Sequence, residues 1–125
     1  MLPDTGGVYA IVLRLPAPTC LRVLGREVRL PAGRYVYVGS ARGPGGLRAR
    51  LGRHLRGDGR LRWHVDALRA AAEVDGFAYW VDEQVTECAV ARALAALPGA
   101  TIPIPRFGAS DCRQGCAAHL IGVPD

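Results

Sequence analysis

Residues 34–55 read Arg34-Tyr35-Val36-Tyr37-Val38-Gly39-Ser40-Ala41-Arg42-Gly43-Pro44-Gly45-Gly46-Leu47-Arg48-Ala49-Arg50-Leu51-Gly52-Arg53-His54-Leu55. Arg34 to Val38 joins aromatic to β-branched side chains, which suit a pleated, half-buried surface, and predicts a strand. Gly39 to Gly46 is glycine-rich and contains Pro44, which predicts a flexible loop. Leu47, Leu51 and Leu55 then recur every four residues, one apolar stripe of a helix. At ~100° per residue, Arg50 and His54 sit close together beside that stripe, on the rim between core and solvent where a cleft can form. Arg48 and Arg53 project elsewhere and read as phosphate-backbone contacts or plain surface.

The flanking sequence extends this pattern. Val8 to Leu15 predicts a strand that Pro16-Ala17-Pro18 breaks. Leu21–Leu24 and Glu27–Leu30 are short runs around Gly25-Arg26, with hairpin spacing, and Pro31-Ala32-Gly33 is a turn. The N-terminal third therefore predicts a small antiparallel sheet. Downstream, Leu61–Ala72 predicts a second helix and Phe77–Val81 a strand. Gln84–Leu97 predicts an alanine-rich helix that stops before Pro98-Gly99; being apolar on most sides, it is expected to be largely buried. Pro103–Cys116 reads as irregular, and His119–Val123 as a short last strand. The order is that of one α+β domain over residues 1–125, with a small, mainly antiparallel sheet flanked by helices.

Composition narrows the function classes. Of 125 residues, 50% are hydrophobic and 22% charged, which is globular and not disordered. No stretch approaches the ~20 apolar residues of a membrane span, so no membrane partner is expected. The start, Met1-Leu2-Pro3-Asp4-Thr5-Gly6, is unlike a secretory signal, and a cytoplasmic location follows as the expectation. The net charge is +5, and all 16 basic residues are arginine. Arg42, Arg48, Arg50, Arg53, Arg56, Arg60, Arg62 and Arg69 fall in one segment, opposed only by Asp58 and Asp66. Guanidinium forks bind phosphate in a bidentate way, so the segment suits a polyanion such as nucleic acid. A solvated helix face in an arginine-rich protein reads equally well from charge alone.

Two tripeptides carry the sharpest signal: Gly7-Val8-Tyr9 and Tyr37-Val38-Gly39, in strands that can neighbour each other, the second followed by the glycine-rich loop and the helix bearing Arg50. The chain resembles the GIY-YIG nuclease superfamily, named for such tripeptides, with valine in place of isoleucine in both. Arg53-His54-Leu55, Trp63-His64-Val65-Asp66, Glu87-Cys88, Phe107-Gly108, Ser110-Asp111-Cys112 and His119-Leu120 extend the likeness to the superfamily's Uri-type branch of predicted endonucleases, over nearly the whole chain. The resemblance implies divalent-metal-dependent phosphodiester cleavage, with DNA ahead of RNA as substrate. It implies tyrosines lining the active site, here Tyr9 and Tyr37, an arginine on the scissile phosphate, here Arg50, and one Mg²⁺ or Mn²⁺ on a helix glutamate.

The residues fit such chemistry on their own terms. Hydrolysis of a phosphodiester needs an activated water and neutralisation of phosphate charge. A tyrosine hydroxyl can relay or accept a proton once a metal or cation lowers its pKa. Tyr9 and Tyr37 are candidates for water activation, Arg50 for phosphate charge, and His54 for orienting a phosphate or water. Arg42, Arg48, Arg53 and Arg56 are candidate nucleic-acid contacts. Against this stands the plainer reading of two core phenols and a hydrogen-bonded structural histidine. Two registers compete for the metal position. One puts Glu87 there, with Glu83 a turn earlier on the same helix face. The other puts Arg92 there, ~140° around the helix, and leaves Asp66 or Asp111 as substitute carboxylates.

The four cysteines are Cys20, Cys88, Cys112 and Cys116. Cys112, Cys116 and His119 are dense enough for a zinc half-site that Cys88 could complete, pinning the irregular tail. Small buried thiols are the alternative. Besides the nuclease, two functions stay open: a catalytically inactive nucleic-acid-binding module on the same fold, and a zinc-stabilised interaction domain. No dedicated DNA-reading motif is present, so specificity is left to substrate shape or a protein partner.

Overall fold

The computed structural model describes residues 2–23, 26–56, 64–104 and 118–124, with the side chains of residues 23 and 64–67 left aside. Four strands, β1 (Gly7–Leu15), β4 (Gly33–Ala41), β5 (Glu73–Trp80) and β6 (Leu120–Val123), form an antiparallel sheet in the order β5-β1-β4-β6. β2 (Thr19–Val23) and β3 (Arg26–Leu30) form a separate hairpin. β1 is apolar along both faces because it lies inside the sheet, between β4 and β5. Its register with β4 sets Tyr9 opposite Gly39 and Ile11 opposite Tyr37.

Alternation along the strands sorts the core into two layers. Tyr9, Ile11, Leu13, Leu15 and Tyr35 point to one face, where α1 (Gly46–Arg56) adds Leu47 and Leu51 and α2 (His64–Ala71) adds Leu68. Val8, Ala10, Val36 and Val38 point to the other, where α3 (Glu87–Ala95) adds Ala91. The chain is thus an α+β domain with a mainly antiparallel sheet flanked by three helices among the described residues. None of those helices is long and apolar enough to cross a membrane.

Three expectations need correction. β4 continues to Ala41, so Gly39 and Ser40 lie in the strand and the loop begins only at Arg42. Pairing with β1, which sets Tyr9 opposite Gly39 and Val8 opposite Ser40, outweighs glycine's weak strand preference. α3 begins at Glu87, where Thr86 caps it by accepting from the Ala89 amide at 3.1 Å. Glu83 therefore lies in the preceding turn, exposed, and not on a helix face with Glu87. α3 is also not largely buried: Cys88 and Ala91 are the buried residues of its nine. Its remaining apolar side borders an open trough of about 640 Å³, with Val12, Val36, Trp80, Val90 and Leu94 in its walls.

Candidate functional site

The two tripeptides are held together by packing that only glycine permits. A Cβ on Gly39 would lie 2.5 Å from the Tyr9 hydroxyl oxygen and 2.6 Å from Cζ, so Gly39 is the floor on which the Tyr9 phenol rests. A Cβ on Gly7 would strike the Trp80 carbonyl of β5 and crowd Leu47 of α1. The strand-to-helix path is closed by backbone bonds: the Leu47 amide donates to the Thr5 carbonyl at 2.9 Å and the Arg48 amide to Pro3 at 2.8 Å. These amides at the start of α1 are engaged within the protein.

On this frame three rings from three elements converge. Tyr9 of β1 and Tyr37 of β4 have centroids 6.4 Å apart, and His54 of α1 lies 5.8 Å from Tyr9 and 6.2 Å from Tyr37. Tyr9 and His54 are buried, at 2% and 3% exposure, whereas Tyr37 is half-buried. Arg50, one turn before His54, is half-buried and donates from Nη1 to the Ser40 carbonyl at 2.7 Å. Burial pushes the Tyr9 phenol far up, and coupling to the neighbouring Tyr37 phenol and the negative charge of Glu87 push the same way, while Arg50 and Arg53 pull against them. Burial thus favours the neutral form of the Tyr9 phenol.

Glu87 completes the cluster from α3. Its carboxylate accepts a hydrogen bond from the Ser40 side chain and lies, through Oε2, 3.2 Å from Nδ1 of His119. Burial alone would raise this carboxyl, but the bonds from His119 and Ser40 and the charges of His119 and Arg42 outweigh it and hold the group below its usual range. The helix N-terminus adds favourable potential for an anion. Arg92 is exposed, five residues further along α3. Of the two competing positions, it is Glu87 whose charge reaches Tyr9.

The remaining candidates separate. Arg53 is half-buried and its charge reaches Tyr9, so it belongs to the cluster and not to plain surface. Arg48 is exposed and donates to the Leu2 carbonyl at 3.0 Å. Arg42 and Arg56 are exposed, Arg42 on a recess of about 470 Å³ that also holds Gly6, Gly7, Asp82 and Glu83. Arg69, counted in the basic segment, braces the fold. It donates to the carbonyls of His54 at 2.8 Å and of Leu55 and Ala72 at 3.1 Å, closing the end of α1. Ser40 carries no chemical role of its own in the sequence reading; its signal is its place directly after Tyr37-Val38-Gly39.

Cys88 is buried, with Sγ 3.8 Å from Nε2 of His119. These two proposed zinc ligands are therefore neighbours. Cys112, Cys116 and Asp111 lie outside the described residues, as do the side chains of His64 and Asp66. Among the described residues no group of three or more His, Cys, Asp or Glu could hold a metal ion. What is present is one partly exposed carboxylate, Glu87, a hard oxygen donor kept ionised by its neighbours. That suits Mg²⁺ or Mn²⁺, which take one or two carboxylates and complete their shell with water and substrate phosphate.

Neither the curated proteins nor the solved structures include a match to this chain. A family model described as "Domain of unknown function DUF123" matches residues 8–125, which take in every element from Val8 of β1 to β6 and all the cluster residues above. The chain belongs to this family of domains, DUF123.

Proposed function

We propose that this protein is a divalent-metal-dependent endonuclease of the GIY-YIG kind that cleaves phosphodiester bonds in nucleic acid, DNA ahead of RNA. The supporting observation is convergence: Tyr9, Tyr37 and His54, drawn from both tripeptides and the following helix, meet within about 6 Å of one another. Arg50, Arg53 and Glu87 lie close enough to act on the same phenol. Few structural needs bring two phenols, an imidazole, two guanidinium groups and a carboxylate to one end of the β1–β4 pair, whereas phosphoryl chemistry uses each of them.

Arg50 neutralises the charge of the scissile phosphate, and its bond to the Ser40 carbonyl fixes its aim. Arg53 adds positive potential from the same helix. Tyr9, neutral and buried, donates its O–H to negative charge that develops in the transition state. Tyr37, the more accessible phenol, is placed to activate the attacking water, and His54 orients both rings. Glu87 would hold the Mg²⁺ or Mn²⁺. Bound there, the ion would supply Lewis-acid stabilisation of the phosphate and leaving oxygen.

The test is incubation of the purified protein with labelled DNA and RNA, in Mg²⁺, Mn²⁺ and chelator, beside Arg50→Ala and Tyr37→Phe. The expected result is metal-dependent cleavage that falls by roughly 10²–10³ in Arg50→Ala with nucleic-acid binding largely kept. Salt-sensitive binding with no cleavage under any condition would overturn the nuclease reading and leave a binding module.

A further inference from the structure

His119 lies just before β6 in a position that the nuclease reading leaves unused. Its backbone carbonyl accepts from the Val38 amide of β4 at 2.8 Å, so the residue is tied to the strand that carries Tyr37 and Gly39. Its side chain is 3% exposed, and Nδ1 is shut off from solvent without a well-aligned hydrogen bond in the structure. The two ring nitrogens face different partners: Nδ1 faces Oε2 of Glu87 at 3.2 Å, and Nε2 faces Sγ of Cys88 at 3.8 Å. One imidazole thus bridges two consecutive residues at the start of α3.

This bridge bears on metal chemistry. A carboxylate that must meet a cation needs its direction set, and a buried imidazole N–H behind it does so; groups of this sort typically change metal affinity or activity by 10–100-fold when removed. The proton arrangement follows from the partners. An anionic carboxylate only accepts, so Nδ1 must carry hydrogen, since two facing lone pairs would repel. In the neutral ring Nε2 is then the acceptor, and the Cys88 thiol is its donor.

We propose that His119 is a positioning residue: held by Cys88 at Nε2, it donates from Nδ1 to Glu87 and fixes the carboxylate toward the Tyr9–Tyr37–His54 cluster. The role rests on the reading of Glu87 as the metal-holding group. It assigns Cys88 and His119 to one hydrogen-bonded relay.

Two measurements test it. Long-range ¹H–¹⁵N NMR of the imidazole rings reports which nitrogen of His119 carries hydrogen, without reference to activity. Hydrogen at Nδ1 is expected; a ring protonated at Nε2 alone overturns the relay. Mn²⁺ affinity is then measured by calorimetry on the wild-type protein, His119→Asn and His119→Gln, with thermal unfolding to confirm that each is folded. The Asn amide reproduces the place of Nδ1 and the Gln amide that of Nε2. His119→Asn should stay within a few-fold of wild type, while His119→Gln should lose roughly 10–100-fold. Equal affinity in all three proteins overturns the positioning role and leaves the metal reading standing. Equal losses in both variants also overturn it, because a merely structural histidine would not distinguish the two amides. A wild-type protein that binds no Mn²⁺ overturns the metal reading and the role built on it, whatever the state of the ring.

Discussion

Gly39→Ala tests the packing that joins the two tripeptides. Gly39 is not among the positive-φ glycines of the described residues, so alanine meets no backbone strain there. In open space such a change would stabilise the protein by about 0.4–1 kcal/mol, by reducing the freedom of the unfolded chain. Here the added Cβ would lie 2.5 Å from the Tyr9 oxygen, 2.6 Å from Cζ and 3.0 Å from Cε1. Ordinary contact needs ~3.5 Å or more, so the whole ring must move by roughly 1 Å. The ring is 2% exposed and packed against Tyr37 and His54, so it cannot swing into solvent. Overpacking of this kind costs about 1–3 kcal/mol, and a contact along a whole ring edge belongs in the upper half of that range. Set against the entropic gain, a net loss of about 1–2.5 kcal/mol remains. For a domain of 125 residues this lowers Tm by roughly 3–12 °C. The assay is thermal unfolding of wild type, Gly39→Ala, Tyr9→Leu and the double variant. With the phenol gone, the alanine should cost nothing or become mildly favourable, a coupling of at least about 1 kcal/mol. A Gly39→Ala protein as stable as wild type, or one whose loss is the same in both backgrounds, refutes the reasoning.

Two further outcomes follow from the same geometry. The raised Tyr9 phenol makes stability pH-dependent on the alkaline side: below about pH 10 the group is neutral in both states and contributes nothing to the slope, whereas above it the unfolded chain releases a proton that the native state keeps. Urea midpoints should therefore fall as pH rises past 10, and less steeply in Tyr9→Phe; parallel curves would contradict the buried, neutral phenol. Arg69→Ala should cost about 1–3 kcal/mol in denaturant unfolding, because it strips the charged donor from three part-buried carbonyls at the end of α1 and in α2–β5; a loss below ~0.5 kcal/mol would return Arg69 to the solvated basic surface.

Much of the fold was legible in local pattern. The apolar run of β1, the aromatic and β-branched run of β4 and the four-residue leucine stripe of α1 each state their element directly, because strand and helix periodicities are properties of neighbouring residues. Element ends were less legible. The strand expected to stop at Val38 runs to Ala41 because β1 pairs with it as far as Gly7, which no local propensity encodes. α3 starts late because Thr86 caps it, a competition between capping and propagation that the apolar pattern of the segment conceals. Its exposure was misjudged because apolar composition tells how much surface could be buried, not how much the sheet has room to cover.

The candidate site divides in the same way. The sequence by itself determined which groups could do chemistry: two tyrosines framed by glycines, an arginine and a histidine one helical turn apart, and a glutamate near the start of a later helix. Only the tertiary structure placed Glu87 beside Ser40 and His119 and left Arg92 exposed, since the two differ by ~140° around one helix and a register cannot be read without the surface it packs against. It decided, too, that Arg53 shares the site while Arg69 braces a helix end. It raised the Tyr9 phenol, because burial depends on what the other elements cover. And it joined Glu87, Cys88 and His119, residues separated in sequence by some thirty positions, because β6 returns the chain beside β4, where α3 also packs. Local spacing names the side chains; long-range pairing decides which of them meet.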